Sequence, residues 1–379
     1  MKSVRDVDVK EKRVLLRVDF NVPMEDRKIV DNHRIKKSLT TIKYLLEQKA
    51  KIIIATHVGR PEGTIIPSLS TVPIAEELAK LLKHKVYATD HVIHPIVVDQ
   101  IDKMKPGDIL VIGNLRWHSE EEQNLEAFGR ELASFADVYV NDAFAVSHRA
   151  HASVEAITHY IPSCAGFLLE SEITTLKLLL ENPERPYVLV LGGAKVKDKT
   201  RLIENLASKA DSILIGGAVA NTFLQASGQD ISHSLHEKEM FEACEEMLKK
   251  YAEKIQIPQD SVKEDIAGGF RIMDIGPKTR EEYSKIVSEA KTVFWNGNMG
   301  YSEDEKYSAG TDAMAKAVAG NPNTTVVAGG DTVGYLETHN LTEGINFIST
   351  GGGATLQYLA GEPMPGIEAL NRDQKSRQL

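Results

Sequence analysis

The residues able to do chemistry in this chain fall into two sets. In the first half, apolar runs end in cations. Val14-Leu15-Leu16-Arg17-Val18 leads into Asp19-Phe20-Asn21, and Ile52-Ile53-Ile54-Ala55-Thr56 leads into His57-Val58-Gly59-Arg60. Ile109-Leu110-Val111-Ile112 leads into Gly113-Asn114-Leu115-Arg116, and Val138-Tyr139-Val140 into Asn141-Asp142, then His148-Arg149-Ala150-His151. Arg34 follows the first of these loops. Arginine presents a planar fork matched to phosphate and carboxylate oxygens. A lone arginine reads as a surface charge, but four at or near strand ends predict one cationic bowl. Asp19 reads as a turn residue or, beside Asn21, as an acceptor for a substrate hydroxyl. His148 and His151 stand three apart with no third ligand at a suitable spacing, so they read as polar wall rather than a metal pair. The run Glu120-Glu121-Glu122 reads as a solvated face.

In the second half, apolar runs end in glycines. Tyr187-Val188-Leu189-Val190-Leu191 runs into Gly192-Gly193-Ala194-Lys195, and Ser212-Ile213-Leu214-Ile215 into Gly216-Gly217. Thr325-Val326-Val327-Ala328 runs into Gly329-Gly330-Asp331-Thr332, and Phe347-Ile348-Ser349-Thr350 into Gly351-Gly352-Gly353. Glycine permits close backbone approach, and a helix starting just after it aims N–H groups at an anion. A polyphosphate site is the expectation. Lys195 and Lys199 are four apart, so a helix starting here places both on one face where a terminal phosphate would sit; Lys197 points elsewhere and reads as solvated. Mg²⁺ prefers one or two carboxylates plus phosphate oxygens, which makes Asp331 the metal candidate, with Thr332 as a helix-start donor. The competing reading of Asp331 is a plain helix cap. The stretch is neither a Walker loop nor a dinucleotide fingerprint.

The elements that must position these residues alternate. Strands are expected near 13–18, 51–56, 85–88, 108–112 and 137–141, then near 187–191, 211–215, 254–257, 292–295, 324–328 and 345–349. Amphipathic stretches such as Ile74–Leu82 lie between them. This predicts the α/β class: two doubly wound parallel-sheet domains joined by a hinge helix. The domains are expected over 1–167 and 184–366. Leu169, Ile173, Leu176 and Leu180 recur at helical spacing across the joint at 168–183. Residues 367–379 are expected to return to the first domain.

The chain has 379 residues and a formal net charge of −9, so its basic residues must be clustered locally if its ligands are anionic. That charge speaks against a broad nucleic-acid surface. No apolar stretch approaches the length of a membrane helix. The two cysteines, Cys164 and Cys244, are far apart, which fits a reducing, cytoplasmic setting.

The motifs Arg17-Val18-Asp19-Phe20-Asn21-Val22-Pro23, His57-Val58-Gly59-Arg60-Pro61, Asn141-Asp142-Ala143-Phe144, His148-Arg149-Ala150-His151, Leu191-Gly192-Gly193-Ala194-Lys195-Val196, Gly330-Asp331-Thr332 and Ser349-Thr350-Gly351-Gly352-Gly353-Ala354 resemble those of the phosphoglycerate kinase family, in the same order. The resemblance covers essentially the whole chain. It implies a monomeric glycolytic kinase that passes a phosphoryl group directly between 1,3-bisphosphoglycerate/ADP and 3-phosphoglycerate/ATP, with hinge closure. It implies that 3-phosphoglycerate is held by Asp19, Asn21, Arg34, His57, Arg60, Arg116 and Arg149. It implies Mg²⁺-ADP or Mg²⁺-ATP bound by Lys195, Lys199, Gly217, Asn296, Glu303, Gly330, Asp331 and Thr332, with the metal at Asp331. Arg34, Lys195, Lys199 and Gly352 are the implied catalytic set. Four positions depart from the family pattern: Asn298 replaces a usual proline, Ala218 a usual glycine, Gly113 a common glutamate before Asn-Leu-Arg, and Ile272 a usually smaller residue. Two rival classes are a nicotinamide-linked dehydrogenase, which lacks its fingerprint here, and a closing anion-binding protein, which needs no second site of lysines and a metal carboxylate.

Overall fold

The computed structural model describes residues 1–376. The chain divides into two units: Met1–Thr174 with the segment from Pro363, and Thr175–Glu362. The division falls inside the helix Phe167–Glu181.

The first unit carries β1 (Arg13–Arg17), β2 (Met24–Glu25), β3 (Lys28–Ile29), β4 (Lys51–Ala55), β5 (Val86–Ala88), β6 (Ile109–Val111), β7 (Val138–Asn141) and β8 (Ser163–Ala165). Six of these form one parallel sheet in the order β5-β6-β4-β1-β7-β8, and β2 and β3 make a small antiparallel hairpin. The central strands are β-branched or leucine runs because helices cover both of their faces. Val14, Leu16, Ile52, Ile54, Val111 and Val140 pack there against Ile42, Leu45, Ile74 and Leu78 from the covering helices. From β1 the winding proceeds through β4 toward the β5 edge, then crosses to β7 on the other side. The reversal lies between β1 and β7, the place where such sheets open a ligand crevice at their carboxyl ends.

The second unit carries β9 (Tyr187–Leu191), β10 (Ser212–Ile215), β11 (Ile255–Gln256), β12 (Ser261–Ile266), β13 (Gly269–Ile275), β14 (Thr292–Asn296), β15 (Thr324–Ala328) and β16 (Phe347–Ile348). Its parallel sheet has the order β11-β10-β9-β14-β15-β16. Here the reversal lies between β9 and β14. The strands β12 and β13 form an antiparallel hairpin outside this sheet.

Both sheets match the expected α/β, doubly wound class. Three features were not anticipated: β8 and the two hairpins. The helix Phe167–Glu181 also buries a different stripe. Leu169, Glu172, Leu176 and Leu179 are its buried residues, whereas Ile173 and Leu180 are only half-buried. Steps of three, four and three still keep these four residues on one helical face. The C-terminal helix Pro365–Ser376 packs on the first unit, where Gly366 N–H donates to the Ser147 carbonyl at 2.9 Å and Arg372 donates to Glu155 at 2.5 Å. Residues 377–379 of the expected returning segment lie outside the described residues.

Candidate active site

In the first unit the site grows from one buried cation. Arg17 ends β1 and is fully buried, so it must find partners inside the protein. Its Nε donates to Ser153 Oγ at 2.8 Å, and a terminal nitrogen donates to the Val18 carbonyl. Glu121, also fully buried, lies 3.9 Å from it. The Glu121 carboxylate accepts from the Ser153 hydroxyl at 2.6 Å and the Ser153 N–H at 2.8 Å. The expectation of a solvated glutamate run therefore fails at Glu121. The short helix Ser119–Glu122 turns this one carboxylate inward to answer Arg17.

Arg17 also donates to His57 Nδ1 at 3.3 Å, which makes that nitrogen an acceptor and leaves the proton on Nε2. Burial, then the fields of Arg17, Arg116, His151 and Arg34, keep the His57 imidazole neutral well below its ordinary range. His151 is treated alike: burial, with Arg17, Arg116, Arg149 and His148, pushes it down to about 3. Its 3.8 Å approach to Glu121 is thus a neutral contact, not an ion pair. Burial, followed by Arg149, lowers His148 as well.

Around this base the predicted residues gather. Arg34 pairs with Asp19, whose carboxylate also accepts from the Asn21 N–H at 3.3 Å. Asn21 Oδ1 accepts from the Gly59 N–H at 2.9 Å, and Arg116 donates to the Gly59 carbonyl at 3.0 Å. Asp19, Asn21, His57 and Arg116 are thereby tied to the ends of β1, β4 and β6. Arg149 is exposed and donates to His148 at 3.2 Å. Arg60 is exposed, and its guanidinium makes no ion pair or hydrogen bond among the described residues, although its neighbour Gly59 is held in the network. Arg17, Ser153 and Glu121, which build the floor, were missed as site residues.

In the second unit the backbones at the reversal cross so closely that side chains are excluded. A Cβ on Gly192 would strike the Asn298 carbonyl oxygen, and one on Gly217 would stand 2.7 Å from that same oxygen. Gly217 also has φ +60°, a conformation other residues avoid. Part of the glycine pattern is therefore packing. The helix Lys197–Leu206 buries Lys199, Leu202, Ile203 and Leu206 on one face. Lys199 is 7% exposed because it shares that apolar stripe. Its Nζ donates to Asn296 Oδ1, while Asn296 Nδ2 donates to the Ala328 carbonyl at 2.8 Å. Burial pushes the Lys199 ammonium down to about 8, against the opposing pull of Asp198 and Asp331.

Two expectations are corrected here. The helix begins at Lys197, so Lys195 stands exposed in the preceding turn and does not share a helical face with Lys199. The amides at this helix start are not open either. Glu237 accepts from the Val196 N–H at 2.5 Å and the Lys197 N–H at 3.1 Å. Thr332 is fully buried, and its hydroxyl accepts from the Gly297 N–H at 2.9 Å. Gly330 and Asp331 open the helix Gly330–Thr338, with both residues exposed. Gly352 precedes the helix Gly353–Leu359 with φ +47°.

A cavity of about 610 Å³ runs through this unit. Gly193, Ala194 and Asp331 line it, as do Gly217, Asn298 and Glu303. Ala218 and Ile272 line it as well. Among the described residues no cluster of three or more His, Cys, Asp or Glu is placed to hold a metal ion by itself. A single carboxylate beside a phosphate site is nevertheless the donor set Mg²⁺ accepts when phosphate oxygens complete its shell. No helix is long and apolar enough to cross a membrane among the described residues.

A family model described as phosphoglycerate kinase matches residues 4–362. A phosphoglycerate kinase of Moorella thermoacetica is 44% identical over 386 residues, covering 97% of this chain and 98% of the relative. One from a Roseiflexus species is 43% identical, covering 98% and 99%. Among solved structures, phosphoglycerate kinase from Coxiella burnetii superposes with a TM-score of 0.87 at 37% identity, covering 98% of each chain. The enzyme from Pyrococcus horikoshii OT3 gives 0.88 at 33% identity, covering 99% of this chain and 100% of that one.

Proposed function

This chain belongs to the phosphoglycerate kinase family, a glycolytic phosphotransferase with a carboxyl acceptor, and from that premise we propose how its residues divide the work. The reaction moves a phosphoryl group between ADP and the carboxylate of 3-phosphoglycerate. That carboxylate is ionised at neutral pH, with an ordinary pKa of about 4, so no general base is required. What the protein supplies is position and charge.

The acceptor takes its place in the first unit. Arg116, Arg149 and Arg60 receive the phosphate end, with His57 Nε2–H as a neutral donor. Asp19 and Asn21 orient the hydroxyl, and Arg34, released from Asp19 on one side, meets the reacting carboxylate. The nucleotide takes its place in the second unit. Lys195 and Lys199 meet its phosphates, Gly217 and Glu303 lie along the cavity that takes the nucleoside, and Asn296 holds Lys199 in place. Gly330 and Thr332 shape the turn that carries Asp331, and Gly352 lets its loop approach the transferred group. Asp331 would hold Mg²⁺, which when bound neutralises charge on the phosphate oxygens.

The observation that carries this reading is the density of cations at the ends of β1, β4 and β6. The guanidinium groups of Arg17, Arg34 and Arg116 lie close enough to His57 to help keep it neutral. Such a site suits a ligand with several negative charges. Because the two sets of residues stand on different units, the ligands must be brought together. We place that closure about the helix Phe167–Glu181. We further infer a monomer, as the family resemblance implies, and a cytoplasmic setting, which suits two buried cysteines that form no disulfide.

A coupled assay for ADP formation from ATP tests the reading. Formation that depends on added 3-phosphoglycerate is expected, and Arg34→Ala should lower kcat by about 10³-fold or more, as for other cations that meet a transferred phosphoryl group. Acceptor-independent ADP formation, or near-normal turnover of Arg34→Ala, would refute it. Small-angle scattering should show compaction only with both ligands bound.

A further inference from the structure

One buried side chain in the first unit grips the loop that carries Arg60 at both of its ends. Asn114 follows β6 and is fully buried. Its Oδ1 accepts from the Val58 N–H at 3.2 Å and from the Arg116 N–H at 3.1 Å. Its Nδ2 donates to the Val58 carbonyl at 2.8 Å and to the Leu69 carbonyl at 3.0 Å. A carboxamide has two donor hydrogens and an oxygen with two lone pairs, so every place is filled. Carbonyls on one side and N–H groups on the other also fix which end of the amide is which. Capping the short turn Leu115–Trp117 requires only the oxygen. Both donors are directed at the loop instead, which aspartate or leucine could not do.

The ends of this loop, Val58 to Leu69, also meet directly. A Cβ on Gly59, which has φ +65°, would stand 3.0 Å from the Leu69 methyl groups. Midway along, the Gly63 N–H donates to the Arg116 carbonyl at 3.1 Å. Arg116 is bound into the same assembly by its own N–H on Asn114 and by its guanidinium on the Gly59 carbonyl. Arg60 lies inside the loop, and its guanidinium has no partner among the described residues. The loop backbone must therefore set where Arg60 stands.

We propose that Asn114 is a positioning residue for the acceptor substrate: by closing the Val58–Leu69 loop it sets Arg60 and Arg116 at the spacing that the phosphate of 3-phosphoglycerate requires. This rests on the reading that these arginines receive that phosphate. Asn114 is fully enclosed and meets no ligand itself; it acts through the two guanidinium groups. Its loss should weaken acceptor binding and leave nucleotide binding alone, because the residues assigned to the nucleotide stand on the other unit.

Asn114→Ser keeps an oxygen at the cap of Leu115–Trp117 and removes both donors. In the full-length variant, KM for 3-phosphoglycerate should rise by about tenfold or more while KM for ATP stays within about twofold of wild type, two hydrogen bonds having been lost on one side only. In an Arg60→Ala background the same substitution should raise KM for 3-phosphoglycerate by clearly less, because one of the groups it acts through is already gone. Wild-type enzyme supplies a measurement that decides the matter if Asn114→Ser does not fold. The Asn114 side-chain amide protons, held between two carbonyls, should exchange slowly with solvent, and their NMR resonances should move on addition of 3-phosphoglycerate but not of ADP. An unchanged KM for 3-phosphoglycerate in folded Asn114→Ser, equal rises in both KM values, full additivity with Arg60→Ala, or resonances that ignore 3-phosphoglycerate would overturn the proposal. Absence of any acceptor-dependent turnover in the wild type would instead overturn the kinase reading on which it rests.

Discussion

Replacing Lys199 by methionine should make the protein more stable and nearly inactive. Lys199 is buried on the apolar stripe of its helix, and burial lowers its pKa from 10.5 to about 8. At about 1.4 kcal/mol per pH unit, holding that ammonium in place costs about 3 kcal/mol in the absence of ligand. Methionine fills similar space without charge. It leaves Asn296 Oδ1 without its donor, a loss of about 1 kcal/mol. A net gain of about 2 kcal/mol at pH 7 is expected for Lys199→Met, read by urea unfolding. The sign with pH follows from linkage. Between the folded pKa near 8 and the unfolded value near 10.5, the unfolded chain binds more protons, so wild-type stability rises with pH across that window. The advantage of Lys199→Met should therefore be full at pH 7 and vanish toward pH 10.5. Turnover should drop by about 10³-fold, since the cation proposed to meet the phosphates is gone. A variant less stable than wild type at pH 7, or a stability difference that does not change with pH, would refute the reasoning.

Glu121→Gln leaves the fully buried Arg17 without its counter-charge and should lower unfolding stability by about 3 kcal/mol, measured by chemical denaturation. His151, with its pKa pushed down to about 3, should stay neutral from pH 8 to pH 5; its ring resonances should not titrate there, and a midpoint near 6 would contradict the buried-wall description. Because the unfolded chain takes up that proton first, His151 also contributes to a loss of stability as pH falls from about 6.5. Gly217→Ala imposes a left-handed conformation and a contact with the Asn298 carbonyl, so it should cost about 2 kcal/mol or more and weaken ADP binding in calorimetry.

Strand ends were legible because the central strands are buried on both faces and so spell themselves as β-branched runs. The hairpin of β12 and β13 was not, because Lys263 and Asp265 on β12 are exposed or half-exposed and interrupt any apolar run. The hairpin of β2 and β3 is four paired residues around Asp26 and Arg27, both with positive φ, too short to leave a periodic trace. Within the site, Asp19, Asn21, His57 and Arg116 lie where strand ends predicted them. Glu121 was hidden by its neighbours, since three consecutive glutamates look alike in sequence. The clue lay elsewhere: Arg17 is flanked by Leu16 and Val18 in a strand with no solvent face, and a cation there demands an anion from somewhere in the chain. Lys195 was misplaced because the first turn of a helix cannot be fixed to within two residues by spacing alone.

The Glu237 carboxylate at the start of helix Lys197–Leu206 changes what a polyphosphate meets on arrival. The two backbone donors there already serve a resident anion. On the proposed assignment the incoming charge is then answered mainly by ammonium groups, one of them, Lys195, on a solvated stem. Attraction of that kind is damped by mobile ions far more than a rigid backbone cradle would be. Nucleotide capture by this enzyme should accordingly be tuned by the ionic strength of its surroundings.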